Sequence, residues 1–60
     1  MNPAETYRAN AADQREAAQK TSLPKRREMH ERSASTWERM ADATEATAAR
    51  AVVNAAAKVR

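Results

Sequence analysis

The chain has 60 residues, a formal net charge of +3, 42% hydrophobic residues, and neither Cys nor Gly. Sixty residues make one domain at most, one that buries only about 60% of its unfolded surface. Without Cys no disulfide or thiolate metal site braces it, so helix packing or self-association must do so.

The apolar inventory points to helix. Alanine supplies 16 of the 25 hydrophobic residues, and the larger ones are Met1, Tyr7, Leu23, Met29, Trp37, Met40, Val52, Val53 and Val59. Ala, Glu, Arg, Lys and Gln are the strongest helix formers, and no stretch alternates apolar and polar residues as a strand does. The composition therefore describes a helical chain with a thin core. The polar opening, Met1 to Arg8, does not read as a signal peptide. No apolar run approaches the roughly 20 residues needed to span a bilayer. The expected compartment is the cytoplasm.

Asn2-Pro3 opens the first helix. Asn is a favoured N-cap, and Pro at the first helical position gives up an N–H that would be unpaired anyway. Glu5 sits in the first turn, where the helix dipole favours an anion. Tyr7, Ala11, Gln14, Ala18 and Thr21, spaced four, three, four and three apart, trace one face. The first helix is expected over about 3–21.

The turn falls at 22–24. Proline disfavours helical geometry in the residue before it, so Leu23 marks the break. Either Ser22 or Leu23 then caps the second helix. So short a connection makes the helices antiparallel neighbours.

The second helix, about 24–60, has no internal stop. Its inner face reads His30, Ser33/Ala34, Trp37, Met40/Ala41, Thr44, Ala48, Ala51/Val52, Ala55 and Val59. Folding the chain at 22–23 sets Ala18 against Arg27 to His30 and Gln14 against Ser33/Ala34. Ala11 then meets Trp37, Tyr7 meets Met40 to Thr44, and Ala4 reaches about Glu45. The arms are unequal, roughly 28 Å against roughly 54 Å at helical rise. From about Thr47 onward the second helix has no partner in the chain, yet it keeps an apolar stripe: Ala48, Ala51, Val52, Ala55 and Val59. That end pairs with another copy, docks on a different protein, or frays, since a helix of about 14 residues is marginal alone.

The run Tyr7-Arg8, Ala11-Ala12, Arg15, Ala18, Leu23-Pro24, Arg27, Arg32-Ser33-Ala34, Trp37-Glu38 and Met40-Ala41 resembles a group of short bacterial hypothetical proteins. These share a Tyr-Arg opening, a Pro-started second helix and a Ser-Ala…Trp-Glu-x-Met-Ala segment. The likeness covers about residues 7–41 and implies a helical hairpin of unknown function. Such proteins carry apolar residues where this chain has Arg26 and Glu31, a departure that thins the core near the turn.

Candidate sites are few. Lys20, Lys25, Arg26 and Arg27 cluster at the hairpin tip, where they could grip phosphate, nucleic acid or an acidic partner. Glu28 and Glu31 partly neutralise them, and no aromatic is interleaved for base stacking. His30 is the one histidine. A bundle metal site wants Glu-x-x-His, and Arg27 stands where that Glu would be. Trp37 and Tyr7 read as seam residues before they read as a partner's hot spot. Ser33, Ser35, Thr36, Thr44 and Thr47 are many hydroxyls for a helix and suit small positions between layers. A basic amphipathic helix can lie on a membrane, but Ala and Thr leave little to insert. No His–carboxylate–hydroxyl set or Gly-rich phosphate loop suggests catalysis.

The expectation is an all-α antiparallel two-helix hairpin with a long second helix, coiled-coil-like and open to forming a dimeric bundle. It is not expected to be an enzyme or to hold a cofactor, metal or small-molecule substrate. Its expected role is a protein–protein interaction module. Its partner is another copy or another helical protein, met through a seam of Tyr7, Ala11, Trp37, Met40, Ala48, Val52, Ala55 and Val59. The alternative is a small basic binder of nucleic acid or an anionic partner, acting through Lys20, Lys25, Arg26 and Arg27.

Overall fold

A computed structural model describes residues 2–58 as two α-helices packed antiparallel, α1 (Pro3–Lys20) and α2 (Pro24–Lys58). The molecule is a thin rod of 58 × 19 × 9 Å, with no strand among the described residues.

The helix ends follow from local chemistry. Asn2 holds extended geometry, and its side-chain oxygen accepts from the Glu5 N–H at 2.9 Å, with Pro3 first in the helix. At the other end Thr21 leaves the helix in extended geometry (φ −86°, ψ 139°) while its N–H still donates to the Ala17 carbonyl at 3.2 Å. Thr21 lies just outside α1, one residue short of the expected end, because Leu23-Pro24 pulls the chain into extended geometry. Leu23 takes the cap position of α2: its carbonyl accepts from the Arg27 N–H at 3.0 Å. Three residues, Thr21 to Leu23, thus reverse the chain, and none of the described residues has positive φ. A turn built this way needs no glycine.

The contacts between the helices bracket one register. Arg8 reaches Asp42 and Glu45, Arg15 reaches Glu38, Tyr7 stacks on Trp37, and Gln14 bonds to His30. Ala4 then stands level with Thr44, Ala11 with Trp37, and Ala18 with His30. Along α1 the inner positions alternate Ala4, Tyr7, Ala11, Gln14, Ala18 and Thr21. Along α2 they run His30, Ala34, Trp37, Ala41 and Thr44. Spacings of three and four give a seven-residue repeat, the pattern of a coiled-coil seam.

The buried layer is alanine. Ala4, Ala11, Ala18, Ala34 and Ala41 are the only buried residues among those described, and Ala34 and Ala41 are 0% exposed. Each buried methyl contributes roughly 0.8 kcal/mol. The larger seam side chains Tyr7, Gln14, Thr21, His30, Trp37 and Thr44 are all half-buried. An alanine in each layer leaves room for the larger group beside it. Of the residues expected in the seam, Tyr7, Ala11 and Trp37 lie in it, and Met40 is the correction. Met40 is 38% exposed, because Ala41 takes the inward position and adjacent helical residues point about 100° apart.

Widening the buried layer should therefore be destabilising. Ala41→Leu is expected to cost about 1–3 kcal/mol by overpacking. Ala55→Leu, on the exposed end of α2, should stay within about 0.5 kcal/mol. Urea denaturation of dilute protein reads the difference.

Candidate functional site

Past Glu45, α2 runs on without α1 beside it. Every residue from Glu45 to Ala57 is exposed, and Val52 and Val53 are 69% and 66% exposed. Ala48, Val52 and Ala55, assigned to the seam from sequence, sit on this free length. Ala48 lies nearest the hairpin, sharing a groove with Pro3, Ala4 and Thr44. Val59 lies outside the described residues. The structure thus brings Tyr7, Ala11 and Trp37 together, sets Met40 at their rim and Ala48 at the edge of α1, and leaves Val52 and Ala55 beyond α1's reach.

The tip holds its four cations differently. The Lys20 ammonium pairs with Glu16 at 2.9 Å. The Arg27 guanidinium donates to the Thr21 carbonyl at 3.1 Å, satisfying an oxygen left over where α1 ends. Lys25 and Arg26 have no ion pair among the described residues, and the first turn of α2 holds no acidic residue. Two of the four are therefore engaged in holding α1 and the turn.

Glu38 and Asp42 lie at the flank of the inner face as the sequence pattern has them, but the ion pairs that reach them from α1 were not foreseen. Arg8 donates to Glu45 (2.6 and 3.0 Å) and to Asp42 (3.1 Å). Arg15 donates through two nitrogens to one oxygen of Glu38. The signal was present: Arg8 and Arg15 are seven apart, as are Glu38 and Glu45, and all four flank the inner positions. Salt bridges at such flanks set which helices pair and in which direction. The hydrogen bonds Arg8 donates to Glu45 and then to Asp42 raise its pKa above the ordinary value. Arg8, Arg15, Asp42 and Glu45 are exposed and Glu38 is half-buried, so each pair contributes little to stability.

Inside the seam, His30 Nδ1 and Gln14 Oε1 lie 2.8 Å apart. An amide oxygen only accepts, so Nδ1 carries the proton. Thr36 and Thr44 turn their hydroxyls back to the carbonyls of Arg32 and Met40. No group of three His, Asp or Glu poised for a metal occurs among the described residues. No described helix is long and apolar enough to cross a membrane. The hairpin's surface hollows are open grooves, such as one of about 370 Å³ beside Arg15, Ala18, Gln19, Arg27 and Glu31.

Lys20 holds the Glu16 carboxyl below its ordinary value, first by hydrogen bond and then by charge. A lowered pKa in the folded state stabilises the fold above the unfolded carboxylate pKa, and this is lost as pH falls through the lowered value. Thermal melts taken from neutral into acid pH should show Glu16→Gln losing less stability across the carboxylate range than the parent chain.

No family model, curated protein or solved structure matches the chain.

Proposed function

We propose that the chain is a non-enzymatic helical interaction module that self-associates through the C-terminal continuation of its seam. The observation that carries this is the exposed length of α2. Residues 46–57 hold a single charge, Arg50, among nine Ala and Val residues, and all twelve are exposed. A lone helix of that length is marginal in water, whereas a partner along Ala48, Ala51, Val52 and Ala55 gives it the packing α1 gives the rest of α2. The proposed setting is the cytoplasm.

A second reading, an anionic partner or nucleic acid at the tip, has Lys25 and Arg26 in its favour. Lys20 and Arg27 are already engaged, which leaves it the weaker of the two.

Sedimentation equilibrium and circular dichroism over a hundredfold concentration range test the module reading. Mass action requires a self-associating chain to gain stability with concentration. The average mass should rise from 6.6 kDa toward twice that, with a rising melting temperature. A mass and melting temperature constant throughout would remove self-association. A labelled oligonucleotide titrated at low salt, where phosphate contacts are strongest, should show no binding; tight, salt-sensitive binding would favour the tip instead.

A further inference from the structure

The flank of α2 changes character where α1 ends, and the change bears on what covers the free length. Glu31, Glu38, Glu45 and Val52 form one column at seven-residue spacing. In the hairpin, Glu38 and Glu45 of this column face Arg15 and Arg8 of α1. The next column holds Ser35 and Asp42, then Ala49 and Ala56. The seam itself continues unbroken, from Ala34 and Ala41 into Ala48 and Ala55, and from Trp37 and Thr44 into Ala51. Beyond Glu45, then, the inner positions stay as they were while the acidic flank becomes apolar.

Flanking charges select partners, and like charges across a seam repel. In an antiparallel pair each flank column meets the equivalent column of the other helix, as Arg8 meets Glu45 and Arg15 meets Glu38 here. Two copies of α2 aligned antiparallel along Glu38 and Glu45 would set carboxylate against carboxylate. Beyond Glu45 the same column carries Val52 and no carboxylate, so a second copy meets no like charge there. An α1-like helix bringing arginines would find no acid at this flank.

We propose, resting on the self-association reading, that residues 46–57 pair antiparallel with the same residues of a second copy, Ala51 level with Ala55 of the other chain. In that register residue 57 of the partner stands near the level of Ala49, beyond the level of Asn2 and Pro3, so the paired residues of each chain clear the other chain's α1. Both hairpins stay intact, and two rods join end to end. The overlap of the two stretches is roughly 14 Å long and offers far less area than the 1,200–2,000 Å² or so of a stable standard interface, so association is weak and concentration-dependent.

The chain has no native Cys, so single thiols report direction cleanly. Full-length Ala51→Cys and Ala55→Cys chains, mixed in equal amounts in a glutathione redox buffer, should give the mixed 51–55 disulfide several-fold above either homodisulfide. Homodisulfides at or above the statistical share would overturn the antiparallel register. In sedimentation equilibrium, Val52→Glu should weaken association at least tenfold, and Val53→Glu, one position outside the flank, should leave it within twofold. If Val52→Glu associates as the parent does, the pairing proposed here is wrong while self-association stands. A parent chain that stays monomeric throughout overturns both.

Discussion

Each layer of the seam between α1 and α2 sets an alanine beside one larger side chain, and the rest of the molecule depends on that spacing. Helices approach only as closely as the side chains between them allow. With Ala4, Ala11, Ala18, Ala34 and Ala41 buried, the Tyr7 and Trp37 rings fit side by side, centroids 5.7 Å apart, half in the seam and half outside. The same close approach lets Arg8 and Arg15 reach across to Asp42, Glu45 and Glu38. A leucine in place of any of these alanines would push the helices apart and lengthen every cross-helix contact.

A core of methyl groups stabilises little, and the exposed ion pairs add little more. Their value lies in direction and register. Arg8 and Arg15 on one flank of α1 against the acidic flank of α2 favour the antiparallel pairing and disfavour two copies pairing along that stretch. Where the acids end, at Glu45, that barrier to self-pairing ends with them. One helix thus carries two kinds of flank on one continuous seam, the first acidic and fitted to α1, the second apolar.

Much of the fold was legible in the residues. Asn2-Pro3 and Leu23-Pro24 mark both helix starts because proline and cap chemistry act locally, and the register follows from turn length and helical rise. The core was harder to read. Large apolar residues are usually the buried ones, which is why the pattern sets Met40 in the seam with Tyr7, Ala11 and Trp37. In a hairpin only two helices thick, nothing larger than alanine can be enclosed from all sides, and Met40 at 38% exposure shows the consequence. The Arg8 and Arg15 bridges escaped because their partners lie 23 to 37 residues away and a pattern read within one helix does not see them. The free end of α2 was plain from helix length alone, but its significance needed the flank columns, which mean something only once Arg8 and Arg15 are seen to use them.

In the proposed self-association α2 is held by α1 up to Glu45 and by a second copy beyond it. Amide hydrogen exchange resolved by residue, at two protein concentrations a hundredfold apart, tests this directly, since protection reports local opening. Protection at residues 46–57 should rise with concentration while that at 34–44 changes far less. Equal protection along the whole of α2, unchanged by concentration, would contradict it.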